Sequence, residues 1–332
     1  MHSVPARRAL ITGIGGQDGS YLAELLVEKG YEVVGMVREA VDAPQPNLEA
    51  VRSSVKLLRG ELLDPASLRA VVAEAAPDEL YHLAAPSFVP ASWEDPTETV
   101  HAIAGATATL LAVTRERGFR LCVAASSEVF GDAGESPQRE SSPMRPQSPY
   151  GVAKFAALGL VGVMRARHGV HASCGILYNH ESPRRPPHFL PRKVTRGAVA
   201  IAAGRQETLE LGDLGAVRDW CHARDVARAA WLMLQRDEPG DYVVASGQPR
   251  TVGDLVEAAF AAVGISSEGR IVVNPAFVRP PEATAPVGDP SLARDVLGWV
   301  PETSFEAMIT EMVAADLVEE ADAAAAATPR LG

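Results

Sequence analysis

Along the first half of the chain, short apolar runs alternate with longer stretches whose apolar residues recur every three to four positions. The runs at 9–12, 32–37, 55–58, 80–83, 121–124 and 172–177 have strand character, and helical spacing recurs at 19–29, 65–75, 98–117 and 150–168. Strands in regular alternation with helices predict a doubly wound parallel sheet of the α/β class, a Rossmann fold. The pattern breaks at Asn179-His180-Glu181-Ser182-Pro183-Arg184-Arg185-Pro186-Pro187, which is too proline-rich for a regular element and predicts a lobe boundary. Beyond it, helical patterns at 191–203, 222–235, 251–263 and 304–319 mix with short strands at 208–211, 241–245 and 271–273. The expected organisation is a Rossmann domain of residues 1–178 plus about 220–246 and a smaller, discontinuous α+β substrate-binding lobe of about 179–219 and 247–320. An alanine-rich tail, 321–332, reads as a fraying helix.

Three short signals give this scaffold a chemistry. Gly13-x-x-Gly16-x-x-Gly19 follows the first strand and opens the first helix, where backbone N–H groups and the helix dipole suit a dinucleotide pyrophosphate. Ser126-Ser127-Glu128 ends the strand at 121–124. Tyr150-x-x-x-Lys154 opens the helix at 150–168, with Ser148 as N-cap and Pro149 as first helical residue. Residues four apart share a helix face, so Lys154 lies beside Tyr150. Its charge, the helix dipole and the positive ring of an oxidised nicotinamide are expected to draw the phenol down from its ordinary pKa of about 10. Such a set serves hydride transfer: Tyr150 takes a hydroxyl proton while Ser126 hydrogen-bonds the same oxygen. Glu128 adds a base that could remove a proton from carbon once a neighbouring ketone has acidified it, so that a hydroxyl leaves as water. The second strand ends in Val37-Arg38 where NAD-users usually place an acid. Arg38 favours the 2′-phosphate of NADP, while Glu39 weakens that attraction and leaves NAD open.

Composition narrows the partners. The formal charge is −11, and no basic cluster is large enough to track a phosphate backbone, which argues against nucleic acid. Three cysteines, Cys122, Cys174 and Cys221, lack metal-type spacing and read as reduced packing residues, with no metal site expected. No apolar stretch is long enough to span a bilayer, and residues 1–8 are too short and polar for a signal peptide, so a cytoplasmic location without membrane partners is expected.

With these residues in place, the sequence resembles the extended short-chain dehydrogenase/reductases and, within them, the GDP-mannose 4,6-dehydratases, from about residue 8 to 316. The resembling segments are 9–26, Ser148-Pro-Tyr-Gly-Val-Ala-Lys154, Asn179-His-Glu-Ser-Pro-Arg-Arg185, Arg218-Asp-Trp220 and Trp231-Leu-Met-Leu-Gln235; that at 179–185 is highly specific to the branch. The resemblance implies oxidation of a GDP-hexose at C4, loss of water across C5 and C6, and return of the same hydride to C6. It implies Ser126 in place of a catalytic threonine, Glu128 as C5 base, and Tyr150 and Lys154 as the oxidation pair. Cofactor contacts implied are Gly13, Gly16, Gln17, Asp18, Gly19, Arg38, Glu61, Leu62, Tyr150 and Lys154, with Glu61 replacing an aspartate that reaches the adenine amine. Substrate contacts implied are Ser87, Asn179, Lys193, Arg218, Arg279 and Glu282. Pro86 and Phe88 stand where the family usually has glutamine and histidine, in the loop facing the sugar. Arg184 and Arg185 read equally as ligand-binding or as a solvated or subunit-contact pair, while His82, His180 and Trp220 read as structural. A homodimer through 98–117 and 150–168 is expected; the short loop from Arg38 to Val55 makes a tetramer less favoured but possible. A GDP-sugar epimerase or a 4-keto-6-deoxy sugar reductase would use Tyr150 and Lys154 without needing Glu128.

Overall fold

The computed structural model describes residues 6–278 and 284–327. In chain order the elements are β1 (Arg8–Thr12), α1 (Gln17–Glu28), β2 (Glu32–Val37), β3 (Val55–Arg59), α2 (Pro65–Ala75), β4 (Glu79–His82), α3 (Ala91–Glu94), α4 (Pro96–Val100), α5 (Ala106–Arg117), β5 (Arg120–Ala124), α6 (Pro149–His168) and β6 (Ala172–Leu177). There follow β7 (Asn179–Glu181), α7 (Leu190–Ala202), β8 (Leu209–Leu211), β9 (Val217–His222), α8 (Ala223–Gln235), β10 (Asp241–Val244), β11 (Pro249–Thr251), α9 (Val252–Ala262), β12 (Ile271–Val273), α10 (Ser291–Leu297) and α11 (Phe305–Ala327).

A seven-stranded sheet, all of whose pairings are parallel, runs in the order β3-β2-β1-β4-β5-β6-β10. Every residue of β6 is buried, as expected where helices cover both faces. One face packs Leu22, Leu26 and Tyr81 with Met233 and Trp299. The other packs Leu10, Leu80 and Leu121 with Leu68, Leu110 and Leu158. Strand order reverses between β1 and β4, the point where open α/β sheets leave a crevice for ligands at the strands' C-terminal ends. A separate core of α7, α9 and α11 residues, among them Val194, Leu255 and Met312, underlies the second lobe. Among the described residues no helix is long and apolar enough to cross a membrane.

Several elements differ from the sequence expectation. The 179–187 segment does contain a strand: β7 pairs with β9, and β11 completes that small sheet. These strands are three to six residues long, and Arg218 and Asp219 break the apolar pattern of β9, so alternation could not reveal them. Helix 98–117 is three pieces, because Asp95 caps α4 and a π-turn at His101–Gly105 precedes α5. The wide turn packs Ile103 against Tyr150, Ala153 and Ala157 of α6. Residues 46–54, expected as loop, form a 3-10 segment, and α1 begins at Gln17 rather than nearer Gly19. α11 runs on to Ala327, into the expected tail, whose last residues 328–332 lie outside the described ones.

Asp219 holds the small sheet to the large one. Its fully buried carboxylate accepts from Ser246 N at 2.7 Å, Ser246 Oγ at 2.6 Å, Gly247 N at 2.9 Å and Gly288 N at 3.2 Å. Asp219→Ala would strand three backbone donors, and a loss on the order of 3 kcal/mol is expected, seen as a lower melting temperature. An unchanged melting temperature would contradict this role.

Candidate active site

The crevice opens into a cleft of about 1410 Å³ at the β1/β4 switch point. Glycine is required on its floor. Gly13 has φ +72°, and a Cβ there would sit 2.9 Å from Ala84 Cα in the loop after β4; a Cβ on Gly19 would lie 2.3 Å from the Gly13 carbonyl oxygen. Gly16 caps α1 in extended conformation without a side-chain cap, leaving the first turn's N–H groups as donors to an anion. This cradle fits a dinucleotide pyrophosphate. Gln45 and Asn47 fold over it, Asn47 Nδ2 donating to Gly15 O at 2.9 Å; no sequence signal marked either residue. At the far end, Arg38 is 79% exposed and pairs with Glu39 at 3.5 Å, so the expected competition for Arg38 is present. Glu61 and Leu62 line the same end, and the Glu61 carboxylate accepts from Leu63 N at 3.2 Å.

Ser126, Glu128, Tyr150 and Lys154 meet on one wall. Ser148 Oγ accepts from Gly151 N at 3.0 Å as the N-cap of α6 and donates to Glu128 Oε2 at 3.4 Å, so one hydroxyl links the helix start to the carboxylate. A Cβ on Gly151 would stand 2.7 Å from the Glu128 carbonyl oxygen; the glycine next to Tyr150 lets the two turns touch. The pKa expectation for Tyr150 is not met by the chain itself. Burial pushes the phenol up to about 12, a hydrogen bond with Ser126 offsets part of this, and the Glu128 charge adds to it. Lys154 lies 5.7 Å from the Tyr150 ring centroid and donates to Ala124 O at 2.7 Å, and burial brings its pKa down to about 8. Helical spacing placed the pair correctly, but it carries no information on desolvation.

The 179–185 segment clasps the start of α1. His180 Nε2 meets Asp18 Oδ2 at 2.9 Å while its Nδ1 meets Tyr178 O at 2.7 Å, so both ring nitrogens face acceptors. Gln17 Nε2 donates to His180 O at 3.0 Å, and Ser182 Oγ donates to Gln17 Oε1 at 2.8 Å. Arg184 bonds Ser20 and Glu24 and lies over the Tyr21 ring, and Arg185 pairs with Glu181 at 3.0 Å. Arg184 is therefore an internal clasp residue, and Arg185 combines its ion pair with a place in the cleft wall.

Ser87, Asn179, Lys193 and Arg218 also line the cleft. Lys193 Nζ donates to Glu210 O at 2.7 Å and stands 4.5 Å from the Phe277 ring centroid, and Arg218 Nη1 donates to Val217 O at 2.6 Å. Arg279 and Glu282 lie outside the described residues. His188, Phe189 and Phe277, unmarked in the sequence, also face the cleft; only an aromatic inside an otherwise polar, proline-rich segment hinted at Phe189. Cys122, Cys174 and Cys221 are buried free thiols, and no metal-binding cluster occurs among the described residues.

The clasp sets a pH dependence. Burial alone would raise Asp18 and lower His180, but their mutual attraction wins, holding Asp18 below and His180 above the ordinary values. Asp18's contribution to stability is present above its unfolded pKa and lost as pH falls through its depressed folded value. His180's is complete below its unfolded pKa and lost as pH rises through its raised one. Both operate between roughly pH 4 and 6.5. The melting-temperature gap between the wild type and His180→Gln is expected to be widest there and to narrow at alkaline pH. A gap independent of pH would refute the ion pair.

Comparison with known proteins agrees with this geometry. Residues 10–312 match the family model of GDP-mannose 4,6 dehydratase. A GDP-mannose 4,6-dehydratase of Vibrio cholerae is 41% identical over 347 residues, covering 93% of each chain. Among solved structures, UDP-glucose 4-epimerase from Thermus thermophilus in complex with NAD is similar at a TM-score of 0.80 and 27% identity, covering 93% of this chain and 98% of that one. RMD from Pseudomonas aeruginosa, complexed with NADPH, is similar at 0.78 and 26%, covering 94% and 99%. With a parallel sheet, a glycine cradle at its switch point and a relative this similar over nearly the whole length, the chain belongs to the GDP-mannose 4,6-dehydratase family of extended short-chain dehydrogenase/reductases.

Proposed function

We propose that this chain dehydrates GDP-mannose or a close analogue to the GDP-4-keto-6-deoxyhexose, using NADP. The observation that carries the reading is Glu128 on the same cleft wall as Tyr150, close enough for its charge to raise the phenol's pKa. An epimerase or reductase on this scaffold would need no carboxylate there. A nicotinamide dinucleotide held by the Gly13–Gly19 cradle and the Arg38 end supplies the acceptor, and later the donor, of one hydride. Arg38, exposed at the end of β2, supports NADP as the form bound.

Tyr150 takes the O4 proton as C4 is oxidised, and Ser126 donates a hydrogen bond to that oxygen. Lys154, anchored on Ala124 O, presents its charge to the phenol. The C4 ketone acidifies the C5 proton, which Glu128 removes and passes to the departing C6 hydroxyl, so that it leaves as water; the proton C5 later regains comes from solvent. C6 accepts the hydride, and C5 is reprotonated from the Glu128 side. Arg218, Lys193 and Arg279 are assigned to the nucleotide's diphosphate, where cations and forked donors suit it, and Glu282 to the nucleotide away from that charge. Asn179 and Ser87 are assigned to the sugar end.

A second copy of the chain is the proposed partner. Val152, Phe155 and Val163 on α6 are 48%, 42% and 60% exposed, and Gly159 and Gly162 add open backbone to that helix. Together with Val100 on α4 they form an apolar face suited to a homodimer. Buried, unpaired thiols accord with a cytoplasmic, reducing compartment.

Incubation with GDP-mannose and catalytic NADP is expected to give a product lighter by one water; an unchanged mass would point to epimerisation, and a need for stoichiometric reductant to a reductase. Glu128→Gln is expected to keep C4 oxidation and lose dehydration, with deuterium at C5 retained. Washout at the wild-type rate would remove Glu128 as the base. Tyr150→Phe is expected to slow oxidation by ~10²–10⁴, and near-normal turnover would assign the proton to another group.

A further inference from the structure

A cluster of three aromatic rings sits in the cleft wall outside the groups used above. The Phe88 ring stands edge-to-face against His188, with centroids 5.0 Å apart and planes at 86°, and against Phe189, at 5.6 Å and 81°. His188 and Phe189 are themselves 4.5 Å apart. The Arg185 guanidinium lies 3.8 Å over the Phe189 ring and pairs with the buried Glu181 carboxylate at 3.0 Å, so the cluster is braced by a partly buried ion pair. Two separate segments, the loop after β4 and the stretch before α7, meet in it. Phe88 nevertheless remains 40% exposed, an apolar ring kept open to a cleft.

Its neighbours locate it along that cleft. Ala85 and Val89, on either side of Phe88 in the same loop, pack against the cluster of Ile103, Tyr150, Ala153 and Ala157. Phe88 is thus tied to the reacting end, not to the nucleotide's far end. Pyranose rings present an apolar C–H face between their equatorial hydroxyls, and aromatic rings are natural surfaces for it. We infer that Phe88, braced by His188 and Phe189, is the surface on which the hexose ring of the nucleotide sugar packs beside Tyr150; this rests on the nucleotide-sugar reading above. Phe88 offers no hydrogen-bonding atom, so it recognises the shape of the ring rather than one hydroxyl. Selectivity among hexoses differing at the hydroxyls it faces is accordingly low.

Calorimetric titration in a Tyr150→Phe background, which prevents turnover, separates the sugar's contribution from the nucleotide's. GDP-mannose and GDP are each titrated into cofactor-loaded protein carrying Phe88, Phe88→Ala or Phe88→Tyr. The preference for GDP-mannose over GDP is expected to fall roughly three- to tenfold in Phe88→Ala, with GDP affinity unchanged, and to return in Phe88→Tyr. Equal weakening of both ligands, or no change in either, overturns the inference. If the preference falls as expected while the wild-type enzyme gives no product one water lighter, the packing surface stands and the dehydration reading fails.

Discussion

The structure depends on a clasp between the first turns of α1 and the segment following β6. Asp18 and His180 form a charged pair at 2.9 Å, and Gln17, Ser20 and Glu24 bind the neighbouring backbone, Ser182 and Arg184. The helix that begins the cofactor cradle is thereby fixed to the strand that opens the second lobe. The pair keeps some exposure, 13% for His180 and 24% for Asp18, so it contributes little net stability, and losing one partner costs less than it would in a fully buried pair. Its value lies in register: α1 and β7 have one relative position, and both cleft walls inherit it.

The reacting groups follow from that rigidity. Desolvation dominates them, raising Tyr150 to about 12 and lowering Lys154 to about 8, the reverse of the order a base and its helper need. The chain by itself therefore favours the protonated phenol. Glu128 is governed by contact rather than by the sheet: Ser148 serves it and the α6 cap together, and Gly151 lets its turn close against Tyr150. The Glu128 carboxylate and the Tyr150 phenol are set by the same few atoms.

What the sequence made legible was whatever has a period or a fixed spacing. The six strands from 9 to 177, the helices between them, the cap at Ser148 and the glycine cradle could all be read because burial imposes alternation and turns impose glycine. Short strands crossed by charges, such as β7 and β9, could not, since two or three residues have no period and Arg218 and Asp219 serve contacts far away in sequence. The π-turn before α5 was invisible because one widened turn barely shifts a helical pattern. Arg184 could not be assigned for a similar reason: its partners, Ser20, Tyr21 and Glu24, are about 160 residues away. The upward push of burial on Tyr150 was not legible, because burial is a property of the whole fold.

The central claim is that one cleft wall carries both the oxidation and the elimination on a single sugar, without exchange of the migrating hydride. Turnover of GDP-mannose deuterated at C4, in ordinary water, tests it most directly by locating the label in the product. The account predicts deuterium at C6 and solvent hydrogen at C5 in every turnover. Deuterium still at C4, or lost to solvent, would contradict it.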